Sequence, residues 1–336
     1  AARLLQKHIF EPTLESIYSR YVEQPLVQAR LLQTLSESLM RIGLLKQALE
    51  PQSHALELRT EHLGTEDERT LKSIRMLADL LYNSGKFDES IIYEEELLDI
   101  RRRTLGDEHA KTMAEMNHLA NTYNSLEMFD KAEQFRLEVL EISRRKWGDE
   151  HRRTLDAMEE LGDLYRRNDD LVKAFPYYKD ALAIRRGQWG DDDPDTLNSL
   201  EDMGELLQDQ KKYEEAEPYF TQVLEVLQKT RGNEHPKTLM AMEEMGELFY
   251  AQGKYDEAFA LFRDKIAVQR RKLGSKHPST LYTLHLLAIY LDNSNRDEEA
   301  ALGMYIESLE GFRYVGGEDS PRVLDTLERI TNHLFY

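Results

Sequence analysis

The stretch Gly232-Asn-Glu-His-Pro-Lys-Thr238 returns 42 residues later as Gly274-Ser-Lys-His-Pro-Ser-Thr280, and this repetition decides the fold. The same spacing runs through most of the chain. The glycines at this position are Gly64, Gly106, Gly148, Gly190, Gly232, Gly274 and Gly316. A fixed period of this length is the sequence signature of a solenoid, in which each repeat packs only against its neighbours.

Two columns of small residues share the period. The first contains Ser36, Ala78, Ala120, Gly162, Gly204, Gly246 and Ala288, and the second contains Ala48, Ser90, Ala132, Ala174, Ala216, Ala258 and Ala300. Only a small side chain fits where two helix backbones cross closely. Because glycine inside a helix costs up to ~1 kcal/mol relative to alanine, the first column predicts close helix contacts at its glycines.

Each unit has the pattern of two helices. Apolar residues recur at helical spacing over residues 238–252, and a second such run begins at Tyr255 after the turn Gly253-Lys254. The second run ends in basic residues, which suit a helix C-terminus, and Gly274 then ends the helix. The pattern predicts helix A, a tight turn, helix B and a loop in each unit, and it predicts no β-strand.

This pattern resembles the tetratricopeptide repeat, and the 42-residue period is similar to the subclass found in kinesin light chains and in many bacterial signalling proteins. The resemblance implies an all-α fold, a right-handed α-α superhelix of about seven helix-turn-helix units whose A helices line a concave groove. Residues 1–24 would form an N-terminal cap, 25–318 the seven units, and 319–336 a C-terminal capping helix. Terminal units must cover an otherwise exposed apolar face.

A second resemblance concerns the start of the array. The segment from Glu23 to Leu32, with Pro25, is similar to the repeat tails of some bacterial serine/threonine kinases. It leaves open the alternative that the chain is the regulatory or sensor tail of a larger bacterial enzyme. The first residue is Ala1 rather than Met, which indicates a piece of a longer protein.

Composition narrows the function classes. The net charge of −19 argues against binding of nucleic acid or anionic membrane, since both need a basic surface. The chain has no cysteine, which excludes disulfides, thiolate metal sites and a cysteine nucleophile, and fits a cytoplasmic protein. No apolar stretch is long enough to span a membrane.

Signals of an enzyme are weak. The loop from Gly232 to Thr238 lacks the second glycine that a phosphate-binding loop requires before its lysine. The recurring histidines His109, His151, His235 and His277 stand one to four repeats apart, too far to share one metal ion. We therefore predict no catalytic residue, no cofactor and no metal site.

The predicted groove differs between units. In each unit four helix A positions should face the groove. In the first three units they hold three basic and two acidic residues among twelve. In the next three units they hold ten acidic residues and no basic one, and in the last full unit they hold Tyr282, His285, Leu286 and Ile289. Kinesin light chains carry asparagines at two of these positions, and only Asn117 matches here.

Clustered like charge in a concave surface focuses the electric field and favours a cationic ligand. We predict a non-catalytic protein-protein interaction module that binds a basic protein or peptide segment with an apolar anchor. A solvated surface and a self-associating array remain alternatives, and the sequence does not indicate an oligomeric state. The predicted groove residues are Asp156, Glu159, Asp163, Asn198, Glu201, Asp202, Glu205, Glu243, Glu244, Glu247, Tyr250, Tyr282 and Ile289.

Overall fold

The computed structural model describes residues 6–335, so the predicted N-terminal cap lies outside the described residues at positions 1–5, as does Tyr336 of the predicted C-terminal cap. The described part holds a π-helical turn, Gln6–Phe10, and sixteen α-helices, and it contains no strand. In chain order the helices are α1 Glu11–Arg20, α2 Pro25–Arg41, α3 Leu45–Leu63, α4 Glu68–Asn83, α5 Phe87–Leu105, α6 Ala110–Ser125, α7 Phe129–Trp147, α8 Arg152–Arg167, α9 Leu171–Trp189, α10 Pro194–Asp209, α11 Tyr213–Arg231, α12 Pro236–Ala251, α13 Tyr255–Leu273, α14 Pro278–Asn293, α15 Glu298–Gly316 and α16 Pro321–Phe335.

The chain divides into two compact units. Unit 1 comprises residues 1–170 with helices α1 to α8, and unit 2 comprises residues 171–336 with helices α9 to α16. Within each unit the A and B helices alternate, and successive A and B helices of the unit pack against each other. None of the helices in the described part is both long and apolar enough to cross a membrane.

The recurring histidines cap the A helices. The Nδ1 atom of each histidine accepts a hydrogen bond from the backbone N–H two residues later, at 3.1 to 3.2 Å. Asp67 and Asp193 do the same with a carboxylate oxygen. This bond satisfies one of the backbone donors that the first helical turn leaves open. These histidines therefore act as N-caps of the A helices.

The turn between helices A and B requires a left-handed residue in every repeat. The residues with positive φ at this position are Gly43, Gly85, Glu127, Asp169, Lys211, Gly253 and Asn295. Glycine adopts this conformation without strain, whereas the other residues pay a steric cost. The turn therefore has the same left-handed geometry even in the repeats where this position is not glycine.

The predicted 42-residue period is wrong at its last glycine, Gly316. Gly316 belongs to helix α15, and Gly317, with φ +81°, ends that helix. The turn between α14 and α15 has one residue more than the other A–B turns, so every later position shifts by one. Ala301 is accordingly fully buried in the place predicted for Ala300, which is partly exposed.

Candidate partner-binding site

One buried position of helix B has a different chemistry in the two units. In unit 1 it holds the polar residues Gln52, Glu94 and Arg136. The Gln52 amide donates to the Ser73 carbonyl oxygen at 2.9 Å, and Glu94 accepts from the Arg75 guanidinium at 2.8 Å. The helices of unit 1 are therefore joined at this position by hydrogen bonds and ion pairs.

Arg136 is the centre of one of these networks. Its guanidinium donates to the amide oxygens of Asn117 at 2.8 Å and Asn121 at 2.7 Å, and it pairs with Glu160 of α8. Burial raises the pKa of the Glu160 carboxyl, while the nearby Arg136 charge opposes that shift. A half-buried acid of the next A helix thus pairs with a cation from within the fold.

In unit 2 the same helix B position is aromatic. Its occupants are Tyr178, Phe220, Phe262 and Tyr305, all fully or almost fully buried. A Cβ atom added at Gly204 would lie 2.9 Å from Cζ of Phe220, and one at Gly246 would lie 2.9 Å from Cε2 of Phe262. The predicted close contact at the glycine column is therefore confirmed at these two glycines.

The predicted acidic residues of unit 1 lie on helix α8. Asp156 is exposed, whereas Glu159 and Asp163 are half-buried. Both Asp156 and Asp163 are close enough to Glu160 for their charges to raise the pKa of its carboxyl. Helix α8 therefore carries two further acids close to Glu160, the residue that pairs with Arg136.

In unit 2 the acidic residues lie on α10 and α12. The half-buried members are Glu201, Asp202, Glu205, Glu243, Glu244 and Glu247, and Asn198 is exposed. Burial, followed by the charges of Glu201, Glu205, Glu247 and Glu243, raises the pKa of Glu244 to about 8. The structure thus brings carboxylates from two helices close enough to repel one another.

Glu244 occupies the position of Glu160 two repeats later, and Phe220 occupies the position of Arg136. An aromatic ring cannot neutralise a carboxylate. The Oε2 atom of Glu244 is buried and has no hydrogen-bond partner in the part of the chain that the structure describes. The loss of the arginine therefore explains why this acid is uncompensated.

One of these acids, Glu243, has a cationic partner on a B helix. Lys265 of α13 is almost fully buried and pairs with Glu243. The corresponding residues of the preceding repeats, such as Val139 and Val223, are apolar. The charge of Lys237 also acts on Glu201, although burial still raises the pKa of that carboxyl. The sequence pattern could not reveal Lys265, because the lysine stands on a B helix at a position that usually belongs to the core.

The three predicted anchor residues have different surroundings. Tyr282 is 43% exposed, and the Arg322 guanidinium lies 5.7 Å from the centre of its ring. Tyr250 and Ile289 are partly buried against the core of unit 2, where the rings of Tyr250 and Tyr290 are 4.3 Å apart. Of the three, Tyr282 offers the largest apolar surface to a ligand.

Helix α16 covers the remaining polar residue of the last predicted groove unit. The His285 ring lies 3.0 Å from the Asp325 carboxylate, and burial lowers the pKa of His285.

Among the described residues no group of three or more histidines or carboxylates is placed to hold a metal ion.

Tandem helix pairs of constant length define an α-helical repeat protein. The tetratricopeptide repeat family matches residues 112–187, 195–269 and 242–313 in one form of the repeat and residues 70–111 in another. The chain belongs to the tetratricopeptide repeat family, as predicted. Repeats of this family are protein-protein interaction modules and generally serve as non-catalytic scaffolds.

Solved structures agree with this assignment. Kinesin light chain-like repeats from Podospora anserina are 25% identical, with a TM-score of 0.53 over 60% of this chain and 96% of that chain. BtubC from P. vanneervenii is 22% identical, with a TM-score of 0.51 over 68% and 91%. A tetratricopeptide repeat protein from Parabacteroides merdae is 16% identical, with a TM-score of 0.55 over 90% and 99%. No curated protein matches the sequence.

Proposed function

We propose that the chain binds a basic segment of a partner protein along the acidic faces of α10 and α12, with an apolar anchor of the segment on Tyr282. The observation that carries the proposal is Glu244, whose pKa is raised to about 8 by burial and by four carboxylates around it. A cation favours the charged form of such a group. A partner's lysine or arginine would therefore relieve the repulsion that the fold leaves in place.

The rest of the predicted site extends this proposal. Asp156, Glu159 and Asp163 offer a similar acidic face on α8 of unit 1, while Tyr250 and Ile289 border the anchor in unit 2. A cytoplasmic location fits a partner of this kind. Since most of the site is only half-buried, salt should screen the attraction and weaken binding.

The test uses a fluorescein-labelled peptide that alternates lysine with alanine and carries one leucine. Fluorescence anisotropy should show binding that weakens as salt rises. Replacing Glu201, Glu205, Glu244 and Glu247 together by glutamine keeps the Glu243–Lys265 pair and should lower affinity at least ~10-fold, as expected for several charge contacts.

The matched control changes the net charge equally on exposed B helix residues of unit 2. These residues are Glu214, Glu225, Glu257 and Asp264, replaced by glutamine or asparagine. Equal losses in the two variants would show that only net charge matters and would overturn the proposed site. Light scattering of the free protein, measured alongside, separates peptide binding from self-association.

A further inference from the structure

The side-chain amide of Gln269 lies at the wall of a cavity. Its side chain is on α13 and is only 5% exposed, and its Oε1 atom has no hydrogen-bond partner in the described part of the chain. The cavity has a volume of about 520 Å³ and is also lined by Met240, Tyr282 and Thr283. Because an unpaired buried acceptor is costly, this position favours a ligand that brings a hydrogen-bond donor.

Unit 1 shows which donor suits the position. Arg59 stands at the position of Gln269, five repeats earlier. Its guanidinium donates to the Ser73 hydroxyl at 2.5 Å, to the Arg69 carbonyl oxygen at 3.2 Å and to the Gln33 amide oxygen. The space between one helix B and the next helix A is thus built to hold a guanidinium group there.

Arg185 repeats the arrangement inside unit 2. It donates to the Ser199 hydroxyl and to the Asp195 carbonyl oxygen, both at 2.9 Å. These two acceptors correspond to Ser73 and Arg69 of unit 1. The same pair of acceptors therefore holds a guanidinium in both units.

All three acceptor positions are present around Gln269, but the arginine is missing. Thr283 corresponds to Ser73, Ser279 to Arg69 and Glu243 to Gln33. The Thr283 hydroxyl donates to the Ser279 carbonyl at 3.1 Å and keeps its lone pairs for a further donor. Glu243 in place of Gln33 strengthens the set, since a carboxylate binds guanidinium more tightly than an amide does.

The cations near this cavity are already engaged. Lys265 pairs with Oε2 of Glu243, which leaves Oε1 of that carboxylate open to another donor. Lys272 pairs with Glu234 at 2.5 Å, and Arg322 lies over the rings of Tyr282 and Phe312. Arg59 is likewise held close to another cation, since the charge of Arg69 acts on it. Nearby cations therefore do not prevent a guanidinium from occupying this position.

We infer that the cavity beside Gln269 is a specificity pocket that accepts the guanidinium group of an arginine from the partner segment. The arginine donates to the Gln269 amide oxygen, the free Glu243 oxygen and the Thr283 hydroxyl, while its aliphatic stem packs between Met240 and Tyr282. This inference rests on the proposed function and adds that the partner carries arginine, and not merely positive charge, at one position.

The experiment compares four labelled peptides that share one alanine-leucine framework. One carries arginine, one lysine, one citrulline, which is the neutral counterpart of arginine, and one glutamine. The arginine peptide should bind about 10-fold more tightly than the lysine peptide, the difference expected for two charge-assisted hydrogen bonds. In Gln269→Arg the chain supplies its own guanidinium, so the preference should disappear while lysine binding remains.

A second variant keeps the pocket open. Thr283→Val removes one acceptor and should reduce the arginine preference about 3-fold without changing lysine binding, and circular dichroism checks that both variants fold. Equal affinities for arginine and lysine, both above glutamine, would overturn the guanidinium pocket but keep the proposed acidic site. Arginine binding with no lysine binding would keep the pocket and overturn the acidic site. If neither basic peptide bound more tightly than the glutamine peptide, both the pocket and the acidic site would be overturned. Equal binding of the arginine and citrulline peptides would overturn the pocket.

Discussion

Arg136 and Phe220 occupy the same position of helix B, one in each compact unit, and they stabilise their helix pairs by different means. Arg136 joins three neighbours through hydrogen bonds and an ion pair, whereas Phe220 packs its ring against the bare backbone of Gly204. The aromatic ring buries more apolar surface than the arginine side chain but provides no charge. As a result Glu160 pairs with a cation inside the fold in unit 1, whereas Glu244 in unit 2 has no such pair in the part of the chain that the structure describes.

The comparison shows that the chemistry of a repeat can change while its scaffold recurs. Each B helix that the structure describes has 19 residues, and each A–B turn has one residue with positive φ. Where an aromatic residue stands in place of the buried arginine, Glu244 lacks the cation that Glu160 has. In the proposed function, a cation of the partner takes that place.

The largest effect is expected at the polar network of unit 1. Arg136→Met leaves Glu160, Asn117 and Asn121 without their donor, and breaking a buried pair on one side costs about 3–5 kcal/mol. Urea unfolding followed by circular dichroism measures the loss. The double variant with Glu160→Met should recover much of it. A loss below ~1 kcal/mol for Arg136→Met would mean that the network does not stabilise unit 1.

The next effect concerns the glycine contact of unit 2. Gly246→Ala places a Cβ atom against the Phe262 ring, and overpacking of this kind costs about 1–3 kcal/mol despite the better helix propensity of alanine. Gly303→Ala on α15 is the control, because a Cβ there meets nothing within 4 Å and the change should stabilise by up to ~1 kcal/mol. If both changes stabilised the protein equally, the glycines of unit 2 would not serve ring packing.

A smaller effect should depend on pH. Because the pKa of Glu244 is raised from 4.5 to about 8, the folded state holds this proton where the unfolded state has lost it. The associated stability is present below pH ~4.5 and is lost as the pH rises through about 8. Glu244→Gln should therefore stabilise unit 2 by about 1–2 kcal/mol at pH 9 and have little effect at pH 4, in unfolding curves recorded at both values.

Glu160→Gln provides the contrast at the equivalent position. Burial raises the pKa of Glu160 as well, but the charge of Arg136 opposes that shift, so Glu160→Gln should stabilise unit 1 less at pH 9 than Glu244→Gln stabilises unit 2. Equal stabilisation by the two variants would contradict the distinction between a compensated and an uncompensated acid.

The smallest effect tests a feature that both units share. Lys211→Gly removes the strain of a left-handed lysine in the A–B turn and should stabilise unit 2 by about 0.5–1 kcal/mol. Gly253→Lys, at the same position of the next turn, should destabilise by a similar amount. Thermal unfolding that failed to separate the two variants would show that the turn tolerates any residue.

The repeat period predicted the helices almost to the residue, because propensity, caps and turns all recur with it. Residues 238–252 were expected to be helical, and α12 spans Pro236–Ala251. Gly316 was assigned to the glycine column, since the doublet Gly316-Gly317 keeps a glycine on the period after the longer turn has already shifted the register. Sequence spacing alone could not distinguish these two glycines.

The candidate site was only partly visible in the sequence. The acidic A helix positions stand out because they recur, and the structure places those of unit 2 close together. Lys265, Phe220 and Gln269 lie on B helices, whose side chains meet the A helices only after folding. Whether an acid is compensated depends on such contacts between helices, which a one-dimensional pattern does not contain.

The additional residue in the turn between α14 and α15 shows where the array tolerates a change of length. The turn absorbs it, and Ala301 is fully buried in the place that the period gives to Ala300. An additional residue inside a helix would instead rotate every later side chain of that helix by about 100° and turn its buried positions toward solvent. Single-residue insertions should therefore be tolerated in the A–B turns and not within the helices.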